Sequence, residues 1–180
     1  MLNSWYAWFG TYTGIVALTV LSLPVAVLVA VLVGWRRKVR GAPSPWRTAV
    51  AEVGLVHGTV PWVWMTLLPG NELGKHGVLS LVPFADLLAM DRGQIIGNLL
   101  IFFALGFFVP LRFPGMASLG RVLLLALSCS VLIEVAQYAL LLDRVSSVDD
   151  VLLNTTGAGL AALLSYRWWR VVPRLPVCAY

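Results

Sequence analysis

The stretch from Val122 to Leu142 limits the folds open to this chain more than any other. Its 21 positions hold one acidic residue, Glu134, and no basic one. A helix of that length reaches about 32 Å at 1.5 Å per residue, enough to cross a hydrocarbon core about 30 Å thick. Residues 12–35, 48–68, 94–111 and 149–167 have a similar character. Backbone groups in lipid must pair within their own segment, so each run is expected to be helical. The reading is an all-α, polytopic helical membrane protein with about five transmembrane helices. Composition agrees, since only 12% of residues are charged, about half the fraction usual in a soluble domain.

Orientation follows from the distribution of Lys and Arg. Arg36, Arg37, Lys38, Arg40 and Arg47 fall in the first loop, Arg112 and Arg121 in the third, and Arg167, Arg170 and Arg174 at the C-terminal end. Only Lys75, Arg92 and Arg144 fall on the other side. The basic side is expected to be cytoplasmic, with the N-terminus outside and the C-terminus inside a multi-pass cell-membrane protein. The net charge of +5 is then a collar near anionic lipid heads, and nucleic acid is not an expected partner. The opening "MLNSWYAWFGTYTG" has no basic residue, unlike a secretory signal, and reads as part of a retained helix. The chain divides into a first helix with its basic loop (1–48), a transmembrane domain (49–170) and a short cytoplasmic tail (171–180). Cys129 and Cys178 lie at different expected depths and are not expected to pair. Between the second and third runs, "LSLVPFADLLAM" is too short to cross and is expected to lie along the outer interface or to re-enter partway.

Against this apolar background, polar residues cluster in the last third of the chain. Taking Arg92, Asp143 and Asp149 as markers of the outer boundary, Asn98 and Gln137 lie about 9 Å down, Asn154 about 7–8 Å and Glu134 about 13 Å. Glu134, Gln137, Tyr138 and Leu141 are spaced along one helix face. An ionisable group in hydrocarbon must meet a partner or a wet cavity. Small residues, Gly93 and Gly97 as a GxxxG and Gly157, Gly159 and Ala161 on the last run, would let helices approach. These placements point to a polar pocket opening outward between the third, fourth and fifth runs.

Plainer roles stand beside each functional one. Glu134 can be a protonated packing residue. "SVDD" can be a helix start, with Ser147 as N-cap and Asp149 and Asp150 at the positive dipole end. Arg144 can neutralise an aspartate or hook a phosphate or carboxylate, and Asn98, Gln137 and Asn154 can bond helices together. Glu52 reads as structural, reaching for an arginine. His57 has no helical partner, and His76 has no metal-spaced neighbour. There is no GxSxG, HExxH or Walker-type loop, and no cofactor or metal is expected.

Two blocks resemble the VanZ-like membrane protein family: "NLLIFFALGFFVPL" (98–111), with Asn98 and Gly106, and "IEVAQYALLLDRVSSVDDVLLNTTGAGLAALL", with Glu134, Gln137, Arg144, Asp149, Asp150, Asn154 and Gly157 in order and spacing. "LVPF" at 81–84 is a weaker echo, and the likeness covers roughly residues 50–166. Ser80 and Ala104 depart from the family's usual Asn and Pro. The resemblance implies a link to the cell envelope and to low-level resistance to the lipoglycopeptide teicoplanin, the association of the family's founding member. The ligand-binding set expected is Asn98, Glu134, Gln137, Arg144, Asp149, Asp150 and Asn154. The first reading is a protein that binds or handles an amphiphilic or lipid-linked ligand in the outer leaflet, its head group meeting Asn98, Gln137, Arg144 and Asn154. The alternatives are a Mg-dependent enzyme on a lipid-linked head group, a proton-coupled transporter using Glu134 and a structural subunit. The oligomeric state is left open.

Overall fold

A computed structural model describes residues 4–70 and 78–169. Lys75, His76, the 171–180 tail and Cys178 lie outside the described residues. The chain is mostly helical: α1 (Trp5–Phe9), α2 (Tyr12–Leu21), α3 (Leu23–Val39), α4 (Pro45–Thr66), α5 (Arg92–Ile101), α6 (Phe103–Arg112), α7 (Leu119–Ala139) and α8 (Val148–Ser165). Starts follow local chemistry. The Thr11 side chain accepts from Gly14 N–H, Asp91 accepts from Gly93 and Gln94 N–H, and Pro45 opens α4 at a position where a missing N–H costs nothing.

Each expected run is found as helix, with adjustments. The first is split at Ser22 into α2 and α3, bent by 43°. The third breaks at Phe102 into α5 and α6. Two stretches, Arg92–Arg112 and Leu119–Ala139, are long and apolar enough to cross a membrane, and the bent α2–α3 pair makes a third if it counts as one span. Length and apolarity therefore pick out two or three of the five expected spans. Asp149, Asp150 and Asn154 make α8 more polar, as Glu52 and His57 do α4.

The five runs, α2–α3, α4, α5–α6, α7 and α8, alternate in direction. At one end Glu52 of α4 accepts from Arg37 of α3 and, at 3.3 Å, from Arg112 of α6, so the structural role read for Glu52 is the one its contacts describe. Trp169, just past α8, packs against Val122 near the start of α7. Its indole N–H reaches Ser165 Oγ at 2.9 Å, so it turns inward, while Trp168 stays exposed. At the opposite end Gln137 of α7 donates to the Thr66 carbonyl of α4 at 2.8 Å, and Trp64 of α4 donates to the Phe9 carbonyl at 2.8 Å.

The core joins Ile101, Phe102, Leu105 and Val109 of the α5–α6 break region to Ala126 and Ile133 of α7 and Ala158 of α8. Two glycines make this approach possible. A Cβ at Gly157 would collide with the Leu99 carbonyl, and one at Gly106 with that of Ala158. Large apolar side chains such as Leu124, Leu132 and Val135 of α7 remain exposed on the outer surface, an arrangement at home in lipid rather than water.

One feature departs from an all-α fold. Val78–Ser80 (β1) pairs in parallel with Val145–Ser147 (β2), Val78 opposite Val145 and Ser80 opposite Ser147. Two strands of three residues carry too little periodicity to be read from sequence. β2 forms because α7 stops at Ala139 and the chain doubles back. Leu141 and Asp143 turn it through left-handed φ angles of 52° each.

Candidate functional site

The return of the chain after α7 decides where the polar residues go. Ser146 Oγ donates to the Glu134 carbonyl at 3.1 Å, and Ser147 N–H donates to the Glu134 carboxylate at 3.1 Å. The start of α8 is therefore level with Glu134, six residues or about 9 Å short of Leu140 at the end of α7. Asp149 therefore does not mark the outer boundary as the sequence suggests: it lies well down the side of α7. Asn154 sinks with it. Its amide donates to Ser130 Oγ at 2.7 Å, one turn below Glu134 on α7, so the expected single layer of Asn98, Gln137 and Asn154 is not formed. Tyr138 and Leu141 are exposed, so the inward face of α7 is Ser130, Glu134 and Gln137.

Above this level lies a cavity of about 600 Å³. Asn98, Gln137, Arg144 and Asp150 line it, four of the seven expected residues. The Asn98 amide donates to Asp150 Oδ1, joining α5 to α8. Burial lowers the pKa of Arg144, which Asp150 opposes. The Arg144 guanidinium stands 5.7 Å from the Tyr12 ring centroid, and its Nε is buried without a partner among the described residues. Tyr12, Trp62, Asp86, Asp91 and Gln94 also line the cavity and were not anticipated. Only Asp91 left a signal, as the N-cap before "RGQ". The expected GxxxG contact is not made: Gly93 and Gly97 both line the cavity, and a Cβ at Gly97 would meet nothing within 4 Å.

Glu134, Asp149 and Asn154 lie behind the cavity wall. Asp149 is 1% exposed, and its carboxylate accepts three backbone N–H groups: Phe84 at 2.6 Å, Asp86 at 3.0 Å and Leu87 at 3.0 Å. Ser147, the N-cap of α8 as expected, accepts from Asp149 N–H and donates to Asp86 at 2.6 Å. These bonds fasten the loop 81–89 over the start of α8. Phe84 is held at a φ of 66°, a left-handed conformation costly for a bulky residue. The loop turns apolar side chains outward, with Phe84 64% and Leu88 93% exposed. Ala89 and Met90, directly after them, line the cavity. The arrangement can hold a charged head group beside an apolar rim. Among the described residues no group of three or more His, Cys, Asp or Glu is arranged to hold a metal ion.

No curated protein and no solved structure matches the chain. A protein-family model, VanZ/LLP1, matches residues 55–170. That match takes in α5 to α8, the 81–89 loop and every one of the seven expected residues, and on it the chain belongs to the VanZ/LLP1 family.

Proposed function

We propose that this chain is a multi-pass cell-membrane protein that binds an amphiphilic or lipid-linked ligand. In this reading α2–α3, α4, α5–α6, α7 and α8 are five spans, the end holding Arg37, Glu52 and Arg112 is cytoplasmic, and the cavity opens to the outer leaflet. The observation that carries the proposal is the adjacency of a polar cavity of about 600 Å³ and a loop whose Phe84 and Leu88 are exposed. A cavity of that size suits a head group. Apolar side chains at its edge suit an acyl chain, since burying them away from water gains about 25 cal/mol per Å². Asn98, Gln137, Arg144 and Asp150 contact the head group, while Glu134, Asp149 and Asn154 hold the wall and loop in place. An envelope role follows, and a contribution to low-level teicoplanin resistance is tested by comparing inhibitory concentrations with and without the chain.

The direct test is native mass spectrometry of the purified chain in lipid nanodiscs. Wild type should retain lipid after gentle release, and Gly97→Leu, which fills open space, should lose it while keeping its melting temperature. Equal retention by the two proteins would overturn the proposal.

A further inference from the structure

The loop that follows β1 has an apolar outer face and a backbone sealed from within. Residues 81–90 read LVPFADLLAM, and Asp86 is the one polar side chain among them. It turns inward, where its carboxylate accepts from Ser147 Oγ at 2.6 Å. Leu81, Val82, Phe84 and Leu88 turn outward and are 64–93% exposed. Besides the three amides held by Asp149, Ala85 N–H donates to the Val82 carbonyl at 3.3 Å, and Ala89 and Met90 N–H donate to the Asp86 carbonyl at 2.9 and 3.0 Å. Six of the seven amides from Phe84 to Met90 are thus bonded within the protein. Water makes no such demand on a loop, whereas hydrocarbon tolerates irregular backbone only where protein satisfies its polar groups.

Two helices fix the level of this loop. Asp149, which holds it, belongs to the first turn of α8, level with Glu134 and about 9 Å inward from Leu140. Its neighbour Asp150 meets Asn98, which is also about 9 Å inward from Arg92 at the start of α5. The 21 residues of α7 reach about 32 Å, the thickness of a hydrocarbon core, and a leaflet is about 15 Å of that. The loop therefore lies more than halfway into the outer leaflet.

We infer that residues 81–89 form a re-entrant segment immersed in the outer leaflet, where Leu81, Val82, Phe84 and Leu88 meet lipid acyl chains and hold the chain of a lipid whose head group occupies the cavity. Immersion rests on the five-span reading above, and the held lipid on the amphiphile-binding reading. Ala89 and Met90, directly after Leu88, line the same cavity as Asn98 and Gln137, so a lipid lying along Leu88 has that polar lining within reach of its head group.

The test places single nitroxide-labelled cysteines in the full chain in nanodiscs, with Cys129 and Cys178 replaced by alanine. Val82 and Leu88 report on the segment, Leu140 on the outer end of α7 and Leu132 on the lipid-facing side of that helix; all four are exposed. Collision rates with oxygen and with a water-soluble nickel chelate give depth. Labels at Val82 and Leu88 should read about 5–10 Å deeper than one at Leu140 and shallower than one at Leu132. Nickel accessibility at both positions equal to that at Leu140 would overturn immersion. Native mass spectrometry of the same nanodiscs reads the lipid: Leu88→Asn, at a side chain 93% exposed, should keep the melting temperature and lower lipid retention about fivefold. Unchanged retention beside a deep label would overturn the acyl-chain contact. Absence of retained lipid in wild type would overturn the amphiphile reading, and the depth measurement would still decide immersion.

Discussion

Replacing Asp149 with Asn tests the claim that one carboxylate holds the 81–89 loop. Oδ1 accepts from Phe84, and Oδ2 accepts from Asp86 and Leu87. Asn keeps a single acceptor oxygen. In its better orientation that oxygen retains Asp86 and Leu87, while the amide –NH₂ is turned against the Phe84 N–H. One bond to a charged acceptor, worth about 1.5–3 kcal/mol, is lost, and the other two fall to the neutral value of about 0.5–1.5 kcal/mol each. Such losses are not additive within one network, so a net loss of about 3 kcal/mol is a fair working figure. At about 1.4 kcal/mol per tenfold, local opening of the loop becomes about a hundredfold more frequent. Hydrogen–deuterium exchange in nanodiscs measures this directly. Peptides spanning residues 83–88 should exchange about a hundredfold faster, with α7 still protected. Wild-type exchange across those peptides in Asp149→Asn would refute the anchoring argument.

Five further outcomes are expected. Gly157→Ala, which drives a methyl into the Leu99 carbonyl, should cost about 1–3 kcal/mol and lower the melting temperature in detergent. Gly97→Ala meets open space and should be neutral or slightly stabilising. Glu134→Gln keeps an acceptor for Ser147 N–H and should fold normally, while Glu134→Leu leaves that donor unmade at about 1–3 kcal/mol and should reduce membrane abundance. Asn154→Ala, at a site 1% exposed and bonded to Ser130, should lower stability without changing ligand affinity per folded molecule. For orientation, a cysteine placed at Gly41 in a Cys-free background should react with an impermeant thiol reagent only after the membrane is opened, and one at Asp143 should react in intact cells.

The helices were legible because apolar runs of membrane length leave the backbone few choices, and the Lys and Arg bias anticipated that Arg37 and Arg112 would share one end. The site was legible in its members more than in their roles. Asp149 and Asp150 look alike in sequence, two acids in the first turn of a helix. They part because three backbone amides from residues 84–87, more than sixty positions away, reach only the first. Nothing local records such a partner. The depth estimates for Asn154 and Asp149 failed for a related reason: counting along a helix assumes it starts at the boundary, whereas the reversal at Leu141–Asp143 starts α8 partway down α7. The pairing of Gly93 with Gly97 misled because close helix contact and cavity lining both call for a missing side chain.

The parallel pairing of Val78–Ser80 with Val145–Ser147 fixes an order of assembly. A ribosome finishes the first strand well before the second emerges, and α5, α6 and α7 are made between the two events. During that interval the amides of Phe84, Asp86 and Leu87 have no acceptor from Asp149. Closing so long a loop comes late in any folding sequence, so a nascent chain arrested before Val145 carries its helices but not the seal over them.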